Sequence, residues 1–541
     1  MRISHALRIR PKDVVTLVGG GGKTTLMFCL AGELVAAGWH VVTTMTTHIF
    51  VGQMARAPAR LVLHAEGTLL AQLPQALAEH GHVLLASGTI VEKDKVQGLA
   101  PDLVDRVAAQ RSVDAVIIEG DGARRLPFKA PAAHEPVIPK TATVVIPVVG
   151  LDVLGQPLVA QHVHRPHLVA ELTAAALGDP VTPAMIATML AHPNGGAKNV
   201  PLAARLIPFL NKVEDAATLT AARKIARLLL AHPRVEGVLI GAAQGAEPVQ
   251  EVWSRVGVVV LAAGQASRYG ALKQVLPWQD GLPLVAHVTA QTLACPDVAR
   301  VVVTAGAGAA QVRSAITAAF GEEGSEGDEG TEGTVGSEGT QETEGTEGLT
   351  DSGILSLLGG RLQIVTVPDW AEGQSRSVQV GLELVLGPDP LTPFPTREGG
   401  IKLPSPTREG GSESDSPVKA GRTELPSLRR GGVGGEVSAV LFLLADQPGV
   451  TTGLLSALIQ RHRETLAPIV APRYRGQRGN PVLFDRATFG EFAHLHGDIG
   501  ARPIVQAHLH EIAWVDWPTP EIIQDIDTAD DYRPDAVHGQ S

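Results

Sequence analysis

Short apolar runs recur along the chain, and most are followed by a polar or glycine-rich loop and then by a helical pattern. Runs rich in β-branched residues are typical of strands buried on both faces of a parallel sheet. The clearest such runs are residues 14–18, 113–122, 144–149, 256–261 and 437–445. Helical patterns lie between them, for example at residues 24–37 and 216–231. This alternation predicts an α/β fold with mostly parallel sheets.

The length of 541 residues exceeds what a single hydrophobic core supports. We therefore predict two domains, residues 1–250 and residues 251–541. Low-complexity inserts at 321–350 and 387–436 interrupt the second domain, and their composition is typical of disordered segments. Both inserts follow a predicted helix and precede a predicted strand. We expect them at the amino ends of the strands, away from the carboxyl ends, where ligands bind.

Charge and composition narrow the classes of function. The formal net charge is −11, but residues 321–350 hold ten of the acidic side chains and no Lys or Arg. The rest of the chain is close to neutral, which argues against a nucleic-acid-binding surface. We find neither a secretory signal nor an apolar run of membrane-spanning length, so we expect a cytoplasmic protein without a membrane partner. Cys29 and Cys295 are expected to be free thiols.

The first predicted strand leads into a glycine-rich loop with a lysine and two threonines. The residues of this segment are Gly19, Gly20, Gly21, Gly22, Lys23, Thr24 and Thr25. It is a P-loop by mechanism, because glycines let the backbone wrap a phosphate, Lys23 reaches the terminal phosphates and Thr24 can bind Mg²⁺. It departs from the strict motif, since Leu17 occupies the first glycine position. We predict that it binds ATP or GTP.

Two further segments could complete this nucleotide site. Glu119 and Asp121 end an apolar strand and could hold Mg²⁺ or its waters, although a solvated acidic turn is the alternative. Asn211 and Lys212, followed by Glu214, resemble the base-reading N-K-x-D motif, but a plain polar turn fits equally well. The proline-rich loop after Asp121 is expected to line the site. Its polar residues are Arg124, Arg125, Lys129, His134 and Glu135.

Several segments of the first half carry a family resemblance. In order, they read GGGGKTT, IEGDGARRLPFKAPAAHEPVIP, VVGLDVLG, VHRP and LNKVE. Over residues 5–245 they resemble the YqeC-type family of selenium-dependent hydroxylase accessory proteins. The resemblance implies nucleotide binding and a link to molybdenum hydroxylases, whose apoenzymes or chaperones would be partners. It implies no particular reaction.

A second candidate phosphate loop follows the strand at 256–261. Ala262, Ala263 and Gly264 form a loop of small residues, and Arg268 and Lys273 follow it before the next helical pattern. A strand, a slim loop with two cations and a helix can hold a polyphosphate, although an ordinary loop between strand and helix is the alternative. Asp446 ends the apolar run at 437–445 and is a good candidate Mg²⁺ ligand.

The second half resembles the MocA-type molybdenum cofactor cytidylyltransferases. The segments concerned are LAAGQASRYGALKQVLPW, PDWAEGQSRSVQVGL, LLADQP, RGNPVLF, HGDIGAR and DIDTADDY. The resemblance implies a Rossmann-like nucleotidyltransferase fold, similar to glycosyltransferase A. It also implies transfer of CMP from CTP to Mo-molybdopterin, with release of pyrophosphate. The guanylyltransferase relatives usually read LAGG, so Ala263 favours cytidine.

The resemblance also implies roles for individual residues. Arg268, Lys273 and Asp446 would be catalytic, and Mg²⁺ would be bound by Asp446 and Asp527. The remaining nucleotide-binding positions would be Leu261, Ala262, Ala263, Gly264 and Ser267. The substrate side would be lined by Ser375, Ser377, Asn480 and Asp498. Two alternatives stay open: transfer to another phosphorylated acceptor, or a non-catalytic, nucleotide-switched cofactor carrier or chaperone.

Overall fold

The computed structural model describes residues 1–63, 65–87, 90–92, 95–264, 271–321, 354–387, 437–526, 528 and 531–532. Three predicted site residues, Ser267, Arg268 and Asp527, lie outside the described residues. The same holds for both predicted inserts, apart from Gly321 and Gly387. Within the described part of the chain, no helix combines the length and apolarity that a membrane span requires.

The first half alternates strands and helices. Its strands are β1 (Val14–Gly19), β2 (Val41–Met45), β3 (His48–Phe50), β4 (Ala59–Val62), β5 (His82–Ala86), β6 (Ile90–Glu92), β7 (Lys95–Gln97), β8 (Ala115–Glu119), β9 (Phe128–Lys129), β10 (Val144–Gly150), β11 (Val163–His164), β12 (Arg205–Leu206), β13 (Phe209–Asn211) and β14 (Gly237–Gly241). Its helices are α1 (Ile3–Ala6), α2 (Lys23–Ala36), α3 (Val51–Met54), α4 (Glu66–His80), α5 (Pro101–Ala108), α6 (Pro166–Thr173), α7 (Pro183–Ala191) and α8 (Ala216–Leu230).

The main sheet of this half is parallel and places the candidate nucleotide residues at one edge. The strand order is β4, β5, β2, β8, β1, β10, then β12 and β13, then β14. The carboxyl ends of β1, β8, β10 and β13 therefore meet, which brings Gly19, Glu119, Gly150 and Asn211 to the same region. Strands β12 and β13 are separated by Ile207 and Pro208, because proline has no N–H for the ladder.

The second half has the same alternation. Its strands are β15 (Val249–Ala262), β16 (Val298–Ala305), β17 (Ile354–Leu357), β18 (Leu362–Thr366), β19 (Val437–Leu444), β20 (Ile469–Tyr474), β21 (Gln477–Arg478), β22 (Val482–Asp485) and β23 (Ile512–Asp516). Its helices are α9 (Leu284–Leu293), α10 (Ala309–Phe320), α11 (Gln374–Leu386), α12 (Thr452–Thr465) and α13 (Arg502–Ala507). Short 3-10 turns lie at Leu151–Val153, Lys273–Val275, Leu358–Gly360, Trp370–Glu372, Arg486–His494, Leu509–Glu511 and Pro520–Ile523.

The second sheet is mixed but mostly parallel around its centre. Its strand order is β17, β18, β16, β15, β19, β22, β20, β23, and β22 and the edge strand β17 run antiparallel to their neighbours. The predicted α/β class with mostly parallel sheets is thus confirmed. We expected the ordered residues on both sides of each insert to lie at the amino edge of the sheet, and this is wrong for the strand that follows the first insert. Because β17 is antiparallel, Ile354 pairs with Val365 at the carboxyl edge of the sheet.

One strand belongs to both sheets. Residues 249–254 of β15 pair antiparallel with β14 in the first sheet, and residues 255–262 pair parallel with β16 and β19 in the second. The predicted boundary at 250/251 therefore falls inside a strand. Fourteen extended residues span roughly 45 Å, so the start of β15, beside the first site, is far from its end at the second phosphate loop.

Buried polar contacts also join the two halves. The Arg8 guanidinium donates from Nη1 to Asp485 Oδ1 over 2.7 Å, and His462 Nε2 lies 2.8 Å from Asp485 Oδ2. The Arg463 guanidinium stacks 3.5 Å from the centroid of the Trp253 ring. With the shared strand, these contacts make the chain one connected structure, so function is best tested on the full-length protein.

Candidate functional sites

The first phosphate loop requires glycine for steric reasons. Gly19, Gly21 and Gly22 have positive φ values of 92°, 77° and 129°, which L side chains rarely adopt. A Cβ on Gly21 would lie 2.1 Å from the Gly150 backbone nitrogen, and a Cβ on Gly20 would lie 2.6 Å from the Leu126 carbonyl oxygen. The loop is therefore packed between the strand ends and the 126–127 backbone, as a close phosphate cradle requires.

Helix α2 begins at Lys23, directly after this loop. The N–H groups of Lys23, Thr24 and Thr25 have no acceptor within the helix, because they belong to its first turn. They and the helix dipole favour an anion at this point. The segment Gly19 to Thr25 therefore offers an anion the N–H groups of a helix start, and phosphate binding there stays a prediction.

The Lys23 side chain is folded back into the protein and is only 4% exposed. Its Nζ donates to the Gly19 carbonyl over 2.6 Å and lies 3.2 Å from Asp121 and 3.6 Å from Glu119. Burial lowers the pKa of Lys23, but the two carboxylates outweigh it and the pKa is raised overall. Lys23 is therefore held as a cation beside the loop.

Thr24 and Glu119 form the oxygen pair best suited to a magnesium ion. Thr24 Oγ1 donates to Glu119 Oε2 over 2.8 Å, and Glu119 is partly exposed at the end of β8. Asp121 differs, because it is 2% exposed and its oxygens accept from the Gly19 N–H and pair with Lys23 and Lys129. The geometry makes Asp121 an anchor of the loop, whereas the sequence suggested a second metal ligand.

Asn211 also holds the phosphate loop. Its Nδ2 donates to the Gly21 carbonyl over 2.7 Å, and its Oδ1 accepts from the Ala243 N–H over 2.9 Å. Both ends of the amide are thus bonded to backbone. Lys212, with φ of 65°, forms an ion pair of 2.7 Å with Asp152. Base reading by Asn211 and Lys212 stays a prediction, and the structure adds a positioning role for Asn211.

A buried charge network extends from Asp121 and joins two residues of the predicted loop, Lys129 and Glu135, to Arg165. Lys129 Nζ lies 2.9 Å from Asp121 Oδ2 and 2.8 Å from Glu135 Oε2, which also pairs with Arg165 at 2.7 Å. Burial raises the pKa of Glu135, but Arg165 and Lys129 outweigh it and lower the pKa to about 2. Burial lowers the pKa of neighbouring His164 to about 4, and Arg165 adds to this. In the sequence, only the polar residues of the proline-rich loop indicated this network.

The second site lies at the carboxyl ends of β15 and β19. Leu261 accepts a hydrogen bond from the Ala445 N–H, and Ala262 and Ala263 are buried. Lys273 Nζ lies 2.6 Å from Asp446 Oδ2 and donates to the Ile526 carbonyl over 2.7 Å. The structure therefore brings together the predicted lysine and carboxylate, which are far apart in the sequence.

Gln274 is a residue of this site that the sequence did not single out. It is 4% exposed, and its Nε2 donates to the Gly264 carbonyl over 3.1 Å. The amide thus fixes the backbone where the phosphate loop leaves β15. The Ile526 N–H donates to the Asp446 carbonyl, so the segment after residue 520 is tied to both charged residues.

The predicted substrate-side residues fall into two groups. Ser375 and Ser377 are buried in α11, and the Gly497–Asp498 loop packs on the start of that helix. The Ser375 N–H donates to the Gly497 carbonyl, and the Gln374 N–H donates to Asp498 Oδ1 over 3.2 Å. Asn480 is held by a different contact, since its N–H donates to the Ile522 carbonyl.

Fold and sites together define an α/β protein with a candidate phosphate-binding loop in each half. The family model of the YqeC protein matches residues 15–167, and that of the MobA-like NTP transferase domain matches residues 258–512. The uncharacterized protein YqeC of Escherichia coli K12 is 33% identical over 234 residues, which are 42% of this chain and 86% of that protein. The chain belongs to the YqeC family, and its second half is a nucleotidyltransferase domain of the MobA-like type.

Solved structures with a similar second half include a homologue of Mycobacterium tuberculosis Rv0371c from Mycobacterium sp. strain JC1. It is 22% identical, covers 52% of this chain and 94% of its own, and has a TM-score of 0.31. A nucleotidyl transferase from Methanothermobacter thermautotroptrophicus is 16% identical, covers 51% and 94%, and has a TM-score of 0.30.

Proposed function

We propose that the second half transfers CMP from CTP to Mo-molybdopterin, giving molybdopterin cytosine dinucleotide and pyrophosphate. The observation that carries the proposal is the pairing of Lys273 with Asp446 at the carboxyl ends of neighbouring parallel strands, where α/β sheets bind ligands. The family match limits the reaction to nucleotidyl transfer. The LAAG sequence, with Ala263, supports cytidine as the base.

The residues of this site suit an attack by one phosphate on another. The nucleophile, a terminal phosphate, is already an anion and needs no general base. Catalysis is then positioning and charge neutralisation. Lys273 supplies a cation for the triphosphate and the departing pyrophosphate. The hydrogen bond from Gln274 to the Gly264 carbonyl fixes the position of the loop relative to Lys273. Arg268 is proposed to bind the triphosphate with Lys273.

Asp446 fits a magnesium ligand. Its carboxylate is partly exposed, follows a central strand, and offers the hard oxygen donor that Mg²⁺ prefers. We propose that Asp446 and Asp527 would hold Mg²⁺, which would supply charge neutralisation at the phosphates. Ser375, Ser377, Asn480 and Asp498 are proposed to line the pterin or cytidine side.

A pyrophosphate-release assay on the full-length protein tests this function. CTP, GTP and UTP would each be offered with Mo-molybdopterin, and CTP would also be offered with sugar and isoprenoid phosphates. The proposal predicts release with CTP and Mo-molybdopterin only. Release with another acceptor would favour the broader nucleotidyltransferase alternative. Capture of a molybdenum hydroxylase without turnover would favour a cofactor carrier.

We also propose that the first half binds ATP or GTP with Mg²⁺. Lys23 and the first turn of α2 would contact the phosphates, and Thr24 and Glu119 would hold the metal. Its partners would be molybdenum hydroxylase apoenzymes or their chaperones. Binding of fluorescent ATP and GTP analogues tests this, because Lys23→Ala should abolish the part of the signal that belongs to this site.

A further inference from the structure

A cavity of about 460 Å³ lies between the two halves, away from both candidate phosphate loops. Its volume is in the range of pockets that hold small ligands. On its wall, Ser254 pairs with Gly237 at the start of β14, and Arg255 pairs with Val437 at the start of β19. The cavity is therefore at the amino edges of both sheets, whereas the two candidate sites are at the carboxyl edges. Arg255 and Ala262, the ends of the parallel part of β15, are roughly 23 Å apart.

The described walls of this cavity carry an excess of positive charge. Their charged side chains are those of four arginines and one aspartate, namely Arg227, Arg255, Arg300, Arg463 and Asp297. Asp297 is shared, since a guanidinium nitrogen of Arg227 and one of Arg463 each lie 3.1 Å from its Oδ1. The carboxylates of Glu236 and Glu251 lie nearby, but each pairs with an arginine outside the cavity.

Backbone carbonyls hold two of the arginines on the wall. Arg300 Nη1 donates to the Gly387 carbonyl over 2.8 Å, and Arg255 Nη2 donates to the Leu230 carbonyl over 2.7 Å. Both carbonyls belong to lining residues at helix ends, where arginine is a common cap. A carbonyl carries only a partial negative charge, so these caps leave most of the positive charge uncompensated. Burial accordingly lowers the pKa of Arg300, and it lowers the pKa of Arg255 against a smaller opposing effect of Glu236.

Arg463 keeps one buried donor without a partner. The residue is 4% exposed, pairs with Asp297, and stacks its guanidinium 3.5 Å from the centroid of the Trp253 ring. Its Nε is buried and has no hydrogen-bond acceptor among the described residues. An unmade hydrogen bond of this kind costs free energy. Burial lowers the pKa of Arg463, although Asp297 raises it. The described surroundings therefore satisfy this cation only in part.

We propose that this cavity binds a polyphosphate anion, either free or as part of a nucleotide. Four positive charges and one negative charge leave an excess of three on its described walls, which favours a phosphate-bearing anion over a single carboxylate. Guanidinium groups bind phosphate oxygens through charge-assisted hydrogen bonds. Aliphatic side chains complete the wall and suit the organic part of a nucleotide: Leu230, Val298, Val385 and Val437. This site is separate from both candidate nucleotide sites and does not depend on their proposed functions.

A carboxylate added to the wall tests the charge of the cavity. Ala299 is an exposed lining residue beside Arg300, so Ala299→Glu adds a negative charge without removing an arginine. Ala299→Gln has the same size without the charge and is the matched control. The full-length protein would be titrated calorimetrically with pyrophosphate and with ADP, in EDTA to remove Mg²⁺. One equivalent bound by the wild type and Ala299→Gln should bind at least roughly 10-fold more weakly to Ala299→Glu. Ala299→Glu should also unfold at a higher temperature than Ala299→Gln.

Arg300→Met tests whether a wall arginine binds the anion or only caps α11. Arg234→Met is the matched control. Arg234 also donates to two backbone carbonyls and has its pKa lowered by burial, but it is not among the lining residues. Both variants should lose some stability, and thermal unfolding shows whether each is folded. Only Arg300→Met should weaken the binding of pyrophosphate and ADP, by at least roughly 10-fold.

The two anions distinguish the sources of the phosphate. Tighter binding of ADP than of pyrophosphate would identify a nucleotide as the ligand, and equal binding would identify a free polyphosphate. The proposal is overturned if the wild type binds neither anion. It is also overturned if folded Ala299→Glu or folded Arg300→Met binds both anions as tightly as the wild type. In that case the anions occupy another site, and the arginines act as helix caps alone.

Discussion

Lys273 Nζ lies 2.6 Å from Asp446 Oδ2, which joins the Lys273–Val275 turn that follows the β15 loop to the segment after β19. The two residues are far apart in the sequence but follow adjacent parallel strands. A cation and a carboxylate held at this edge can neutralise a triphosphate from two sides. The proposed function of the second half depends on this pair.

Neutral variants of the pair should abolish most transferase activity. Lys273→Met and Asp446→Asn each remove one charge at nearly constant size, so we expect kcat for pyrophosphate release to fall at least about 100-fold. Asp516→Asn is a matched control, because Asp516 forms an exposed ion pair with Arg473. It should stay within about twofold of the wild type. Near wild-type turnover in either pair variant would refute the assignment.

The first phosphate loop should not tolerate a single methyl group. Gly21→Ala places a Cβ 2.1 Å from the Gly150 nitrogen at a φ of 77°, so we expect loss of ATP and GTP binding. Gly32→Ala in α2 is the control, because nothing lies within 4 Å of its Cβ. It should keep binding and gain up to about 1 kcal/mol of stability. Isothermal titration and urea unfolding measure the two effects, and equal binding by both variants would contradict the account.

The contact between Arg8 and Asp485 should stabilise the whole chain. Burial raises the pKa of Asp485, but hydrogen bonds from His462 and Arg8 outweigh this effect and lower the pKa well below its usual value. The ionised carboxylate therefore stabilises the fold fully above about pH 4, and this contribution is lost as the pH falls further. Arg8→Met removes one of the two partners of the buried Asp485 carboxylate and should cost about 1–3 kcal/mol at pH 7.

Arg8→Met should also move acid unfolding to higher pH, because the pKa of Asp485 rises when one partner is lost. Urea unfolding between pH 7 and pH 3 measures both effects. Arg473→Met removes an exposed pair instead and should cost less than about 1 kcal/mol. Equal losses in the two variants would show that the contact between the halves is not stabilising.

Glu135 should give the first half a separate pH dependence. Its pKa is lowered to about 2, so its carboxylate stabilises the fold above about pH 4 and loses this effect between pH 4 and pH 2. Glu135→Gln should therefore be less stable than the wild type at pH 6. The difference in unfolding free energy should shrink toward pH 2. A difference in unfolding free energy that does not depend on pH would show that packing, and not the charge of Glu135, causes the loss of stability.

The sequence predicted the strands and helices that carry the sites, because buried parallel strands and glycine loops have strong local patterns. It missed residues 249–255 of β15, where polar Glu251 and Arg255 conceal the strand pattern. The structure shows why they are polar: Glu251 binds Arg223 and Gln460 across the junction of the two halves. Such tertiary partners leave no local signal.

The same limit applies within the first site. The sequence identified Asp121 and Asn211 but not their bonds to Gly19, Gly21 and Ala243, which lie far away in the chain. The structure therefore adds support of the loop to the ligand contacts predicted for both residues, and those ligand contacts stay predictions. For the network through Lys129 and Glu135, the sequence predicted only a polar loop and not its ion pairs.

The most direct test of the central claim follows the α-phosphate of CTP. Full-length protein would be incubated with Mg²⁺, Mo-molybdopterin and CTP labelled at the α-phosphate, with labelled GTP in parallel. The account predicts label in a pterin dinucleotide from CTP, equimolar pyrophosphate, and loss of both in Asp446→Asn. Transfer from GTP at an equal or higher rate, or no label in the pterin while CTP is consumed, would contradict it.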